Sequence, residues 1–226
     1  VISLFNHTKN IQMLYGTNPT KTKIIPNNID FPRFSALRRE HPETPKVIGL
    51  IGRVVSIKDI KTFIKAIKIT STAIPDVQGW IIGPQEEDPE YFQECLMLAE
   101  SLGLQENIKF TGFKKVDEVL PELGIMTLTS VSEGMPLAVI EAFAAGVPVV
   151  ITDVGAASQL INGGLDKADR NLGQAGEVTG ISDPHSLSAA YTKLLTNRAH
   201  WEACRKAASA RAAAYYTREK FLSSYA

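Results

Sequence analysis

The sequence predicts an α/β fold built on a doubly wound parallel sheet, and three observations carry that reading. From Lys46 onward, short apolar runs such as Val47–Ile51 and Val77–Ile82 alternate with amphipathic stretches of helical length. The runs are apolar throughout rather than at every second residue, which marks strands covered on both faces. Glycine or proline punctuates the junctions, at Gly52, Gly83-Pro84, Gly103, Gly112, Gly146 and Pro148. Strands of this kind, joined through helices with right-handed crossovers, make a Rossmann-like domain.

The elements follow in chain order. Residues 1–5 read as a short strand and 7–16 as a helix closed by Gly16. Thr22–Ile25 reads as a strand ending in Pro26-Asn27-Asn28, where asparagine accepts a left-handed backbone. Pro32, Pro42 and Pro45 amid charge make 30–46 a linker. Further strands are expected at Val47–Ile51, Val77–Ile82, Asn107–Thr111, Ile125–Ser130, Val147–Thr152 and Ala175–Thr179. Helices are expected over 58–70, 89–102, Val116–Leu123, 156–162, 184–196 and 198–225, with 163–174 a polar, Gly-rich stretch. The expected organisation is a leading portion and linker over 1–45, the sheet domain over 46–197 and a C-terminal helix over 198–226. Because the chain opens at Val1 directly into a strand-like run, it reads as a piece of a longer protein.

Composition removes several function classes. The chain has 226 residues, enough for a sizeable core, and Lys+Arg 24 balance Asp+Glu 24. That balance proposes neither nucleic acid nor an anionic membrane as a partner. No apolar run reaches the ~18 residues of a membrane span, and no signal-peptide pattern is present. Cys95 and Cys204 have no metal-ligand spacing and make no disulfide framework, which suits a reducing cytoplasm. No Gly-x-Gly-x-x-Gly follows a strand and no Walker motif occurs, so dinucleotide and P-loop readings lose their main support. His7, His41, His185 and His200 are scattered and read as surface residues. Asp153 reads as a helix cap and Trp80 as a core residue.

Ligands of such sheets bind at the carboxyl ends of the strands. On that rim stands Ser132-Glu133-Gly134-Met135-Pro136-Leu137, leading to Glu141 eight positions after Glu133. Pro136 suits the first helical position and Gly146 the position past the helix end. Free N–H groups at such a helix start are a ready phosphate site. Gly52-Arg53…Lys58 adds a turn and two cations to the same rim. Alone, Lys58 would pass for a solvated first-turn residue; facing a second anion site, the pair suits a diphosphate. Glu133 and Glu141 admit three readings: hydroxyl acceptors, a general acid–base pair, or structural residues. The Ala-rich helix, with few other charges, favours acceptors and suggests a ligand with phosphate at one point and hydroxyls on either side, such as a nucleotide sugar.

The motif order resembles the C-terminal half of GT-B glycosyltransferases of family 4. The matching pieces are Ile25-Pro26-Asn27-Asn28-Ile29-Asp30, Gly52-Arg53…Lys58, Ile82-Gly83-Pro84, Phe110-Thr111-Gly112-Phe113, Glu133-Gly134-Met135-Pro136…Glu141-Ala142, Gly146–Val150 and Thr152–Gly155. Asp88-Pro89-Glu90 and Leu172–Gly176 are most similar to the soluble UDP-glucose-using transferases of Pel exopolysaccharide clusters. The resemblance implies retaining transfer from a nucleotide sugar, UDP-glucose in that branch, with no metal and no other cofactor. It implies that Arg53 and Lys58 neutralise the diphosphate and that the backbone of Gly134, Met135, Pro136 and Leu137 holds phosphate and sugar. Glu133 would accept from sugar hydroxyls and Glu141 from the ribose, with Gly52 at the turn and Gly112 and Phe113 against the base.

Two departures stand out. Family members often carry Asn-Gly where Asn27-Asn28 stands, and Glu where Gln159 stands. The resemblance further implies a cytoplasmic enzyme whose glycan or lipid-linked acceptor binds mainly to an N-terminal domain outside this chain. Tyr215–Tyr225 would cross back to that domain, or would simply pack in the core. A GT-B-like epimerase or phosphorylase, or a non-catalytic Rossmann-like interaction module, is the alternative reading.

Overall fold

A computed structural model describes residues 1–225. The chain runs β1 (Ile2–Ser3), α1 (Asn6–Leu14), β2 (Lys23–Ile24), α2 (Phe31–Ser35), β3 (Val47–Ile51), α3 (Ile60–Ala73), β4 (Gln78–Ile82), α4 (Pro89–Ser101) and β5 (Ile108–Gly112). It continues through α5 (Val116–Val119), β6 (Ile125–Leu128), α6 (Leu137–Ala144), β7 (Val149–Thr152), α7 (Ala157–Asn162), α8 (Lys167–Asn171), β8 (Gly176–Thr179), α9 (Pro184–Thr196), α10 (Arg198–Tyr215) and α11 (Arg218–Ser223). Six strands form one sheet in the order β5-β4-β3-β6-β7-β8. Every pairing in it is parallel. Numbered from β3, this is the 3-2-1-4-5-6 order of a Rossmann fold. β1 and β2 form a separate parallel pair.

The apolar runs explain both layers. Residues of α3, α4 and α9, including Phe63, Ile67, Cys95, Leu187 and Tyr191, cover one face. Residues of α6, α7 and α10, including Val139, Phe143, Leu160, Ala208 and Ala212, cover the other. Among the described residues no helix is long and apolar enough to cross a membrane.

Several boundaries differ from expectation, each for a local reason. The segment 30–46 contains α2, because Asp30 accepts from the Arg33 N–H and Phe34 is buried. The stretch 163–174 contains α8, capped by Asp166. The helix expected from 58 begins at Ile60, after a 3₁₀ turn over Ser56–Lys58. A 3₁₀ turn over Leu120–Glu122, with Pro121 in its first turn, splits Val116–Leu123. Strands β6 and β7 are shorter than expected, with Pro148 ahead of β7. The terminal helix is broken at Tyr216–Thr217, where Ile29 pairs with Thr217 in an isolated bridge. Asn27 and Asn28 both keep negative φ, so neither supplies a left-handed turn.

Helix α10 is held by polar anchors as well as apolar ones. Trp201 donates its indole N–H to the Gly124 carbonyl at 2.6 Å, and the guanidinium groups of Arg198 and Arg205 lie 4.5 and 4.6 Å from its ring centroid. Asp169 and Arg211 are fully buried and paired at 2.7 Å. Arg211 also donates to the carbonyls of Ile161, Asp169 and Gly173. The second Asp169 oxygen accepts from the N–H groups of Gly164 and Leu165. A buried pair with its bonds made is tolerated, whereas a lone buried charge is not. Arg211→Ala is therefore expected to lower the unfolding free energy by about 3–5 kcal/mol in urea denaturation. A loss below about 1 kcal/mol would show that the pair does not hold the 163–174 segment to α10.

Candidate functional site

The winding of the sheet reverses between β3 and β6, so their carboxyl ends open the crevice where such folds bind ligands. The loops after β3, β4 and β5 form a continuous ledge on one side. The Gly52 N–H donates to the Ile82 carbonyl at 2.9 Å, the Val54 N–H to Pro84 at 2.9 Å, and the Gly83 N–H to Gly112 at 3.0 Å. Gly83 has φ of +153°, and a Cβ there would lie 2.1 Å from the Gly52 carbonyl oxygen, so a side chain would push the loops apart. Phe113 projects from this ledge, 73% exposed. Arg53 lies on it too, 54% exposed, with its guanidinium paired to Glu87.

The loop after β6 forms the other side. The Val131 N–H donates to the Ile57 carbonyl at 3.0 Å. The Thr129 hydroxyl donates to the carbonyls of Lys58 at 2.7 Å and Asp59 at 3.0 Å. These bonds tie the 3₁₀ turn to β6 and set the two facing side chains. Lys58 Nζ meets Glu133 Oε1 at 2.5 Å, with the side chains only 18% and 13% exposed. The Ser130 hydroxyl donates to the same Oε1 at 2.7 Å. Both recorded contacts use one carboxylate oxygen, leaving Oε2 for another donor, and two of the three Lys58 protons for another acceptor.

Behind Glu133, Gly155 at φ +57° packs so closely that a Cβ would lie 2.2 Å from the Glu133 carbonyl oxygen. The Ala156 N–H donates to the Gly134 carbonyl at 2.9 Å. Around Gly134 itself the space is open. Met135 is buried, and the Asn27 side chain donates to its carbonyl at 2.8 Å, so the loop is held from behind. Pro136 is the N-cap rather than the first helical residue, and no side chain caps α6. The α6 N-terminus therefore keeps its positive dipole end and free amides, with Leu137 half-exposed beside it. Glu141 is half-buried on α6. Burial raises its carboxyl pKa, against the lowering effect of the Arg33 charge.

Lys58, Glu133 and the Gly134–Leu137 turn are thus brought into one place at the switch point. Gly52, Gly112, Phe113 and Arg53 form the ledge opposite. Glu141 lies toward Arg33 and Asp117, which pair through two bonds of 2.9 and 2.8 Å. Each of the two cations expected on the rim is engaged by a carboxylate, Arg53 by Glu87 and Lys58 by Glu133, a pairing the sequence did not indicate. Asp153 does not cap α7; its carboxylate accepts from the Ser158 hydroxyl at 2.8 Å. His200 is not a plain surface residue, because its ring meets Glu177 at 2.7 Å. Trp80 is partly buried against the core, as expected. Sequence reasoning gave Thr129, Ser130, Asn27 and Asp59 no part in positioning the site residues. The Ser130-x-x-Glu133 spacing was a usable signal, whereas the others act through tertiary contacts. Among the described residues, no group of three or more His, Cys, Asp or Glu is placed to hold a metal ion.

Comparison with known proteins agrees with this geometry. The chain is 27% identical over 182 residues to an Escherichia coli UDP-Gal:alpha-D-GlcNAc-diphosphoundecaprenol alpha-1,3-galactosyltransferase, covering 74% of the chain and 46% of that relative. It is 26% identical over 230 residues to a D-inositol 3-phosphate glycosyltransferase of Salinispora tropica, covering 90% of the chain and 44% of that protein. The chain thus spans about half the length of the curated relatives it matches. Among solved structures, Anabaena HepE in complex with UDP and glucose superposes with TM-score 0.79 at 20% identity, over 100% of this chain and 61% of that one. A sucrose-phosphate synthase from Thermosynechococcus elongatus gives TM-score 0.77 at 19% identity, over 100% and 56%. The fold is that of GT-B Rossmann-like domains. The family model of glycosyl transferases group 1 matches residues 35–211, and the chain belongs to that family.

Proposed function

We propose that this chain is the donor-binding half of a retaining GT-B glycosyltransferase of family 4, taking UDP-glucose for a cell-surface polysaccharide of the Pel type. The observation that carries the reading is Lys58 paired with Glu133 at the sheet's switch point, beside the uncapped start of α6. Lys58 places a cation, and α6 its free amides, where a diphosphate would lie, while the free oxygen of Glu133 accepts a sugar hydroxyl. Glu141 accepts from the ribose, and Phe113 and Gly112 lie against the base. Similarity to a UDP-galactose-dependent galactosyltransferase and to HepE, whose structure holds UDP, supports uridine as the base. The acceptor would bind mainly to an N-terminal domain outside this chain, in the cytoplasm.

In the proposed step, an acceptor hydroxyl attacks the anomeric carbon from the face the diphosphate leaves. The new C–O bond forms as the bond to the diphosphate breaks, and the hydroxyl proton passes to a departing phosphate oxygen. Lys58, Arg53 and the α6 dipole stabilise the negative charge that develops on the leaving group, without a metal. Electrostatic preorganisation of this kind is usually the largest catalytic contribution.

Calorimetric titration with UDP tests the reading: binding is expected, and none at millimolar concentration would overturn it. Lys58→Ala is expected to weaken UDP by about tenfold to a hundredfold, as for a lost charge-assisted hydrogen bond, and uridine hardly at all. Arg53→Ala should produce the same selectivity with a smaller loss, because its guanidinium is exposed. Equal losses for UDP and uridine would contradict a phosphate role.

Glu141 gives a prediction of opposite sign for stability and binding. Its folded carboxyl pKa lies above the ordinary 4.5, so the folded chain holds that proton more tightly. Stability therefore falls as pH rises from 4.5 through the folded value, and ionisation at pH 7 opposes folding. Glu141→Gln should raise the melting temperature at pH 7 while weakening UDP, and a lower melting temperature would contradict it.

A further inference from the structure

Among the described residues, two that are not glycine have positive φ: Asp59 at +46° and Ser182 at +53°. They are bonded to each other, with the Ser182 hydroxyl donating to Asp59 Oδ2 at 2.8 Å across a sequence separation of 123. Asp59 directly follows Lys58. Ser182 stands between β8 and α9, whose helix packs beside α3. An L-residue stays in the left-handed region only where its surroundings hold it, and such residues cluster at functional sites.

We propose that Asp59 and Ser182 form a latch that positions Lys58 against Glu133, which makes both of them positioning residues for the diphosphate site. The inference rests on the function proposed above. Helix capping accounts for only half of the Asp59 carboxylate. Oδ1 accepts from the Thr62 N–H at 3.3 Å, which suffices to cap α3. The bond from Oδ2 to Ser182 adds nothing to the cap, yet it fixes the turn from a second direction. The left-handed turn redirects the chain between the 3₁₀ turn and α3. The Lys58 side chain thereby runs back over Gly52, where a Cβ would lie 3.5 Å from Lys58 Cε. Thr129 grips the carbonyls of Lys58 and Asp59 from β6. The ammonium group thus hangs from a turn pinned on one side by β6 and on the other by the α9 start. Without the Ser182 bond the turn keeps its cap but loses the second pin, and the ammonium group can move away from the phosphate position.

Ser182→Gly is the clean variant, because glycine accepts the same φ and the Asp59–Thr62 cap stays intact. Calorimetry with UDP and uridine, beside a thermal melt, reads the outcome. UDP is expected to weaken by about fivefold or more, as when a charge-assisted hydrogen bond loses its geometry, with uridine and melting temperature nearly unchanged. Asp59→Asn, which tolerates the same backbone, keeps one oxygen for the Thr62 N–H and replaces the other with an amide N–H that can donate to the Ser182 hydroxyl oxygen, and is expected to retain near-native UDP affinity. An unchanged UDP affinity in Ser182→Gly, or equal losses for UDP and uridine, would overturn the latch while leaving the proposed function intact. An unmodified chain that binds no UDP would overturn both.

Discussion

A sheet wound in both directions from its middle leaves two neighbouring strands whose following loops diverge, and in this chain Lys58 and Glu133 meet across that divergence. Much of the rim depends on the contact. Its two side chains are largely removed from water, so their attraction is weakly screened, and their desolvation must be offset by further bonds. Ser130 supplies one at the carboxylate. Thr129 and Val131 hold the backbone that carries the lysine, and Gly155 lets the next loop close behind the glutamate.

Two of the buried ion pairs serve different ends. Asp169 and Arg211 are sealed from solvent, and their donors and acceptors are consumed by neighbouring backbone. Such a pair fixes a loop against a helix and has nothing left to offer a ligand. Lys58 and Glu133 are more exposed and less saturated, with protons and an oxygen to spare. Rigidity supplied by α10 and the two apolar layers lets the rim carry an unsaturated pair, an uncapped helix start and a half-buried Glu141 at once.

Much of this was legible in the sequence because hydrophobic periodicity decides it. The six strands and their crossovers follow from uniformly apolar runs between glycines, and the rim follows from the rule for such sheets. Two of the short helices were not legible, although α5 and α7 were. α2 and α8 owe their existence to the caps of Asp30 and Asp166, and α2 also to the burial of Phe34, signals too local for a periodic pattern. At the site, residue type and position pointed to Lys58, Glu133 and the glycine turn. What the sequence could not carry was pairing: Lys58 with Glu133 over 75 residues, Asn27 with Met135 over 108, and Asp59 with Ser182 over 123. Each is a tertiary contact between loops, with no periodic trace.

A crystal structure of the chain soaked with UDP-glucose tests the central claim most directly. The expected density places the diphosphate within hydrogen-bonding distance of Lys58 Nζ, facing the amides of Gly134–Leu137, with a sugar hydroxyl on the free oxygen of Glu133. A diphosphate seated elsewhere on the rim, with Lys58 and Glu133 contacting only each other, would contradict it.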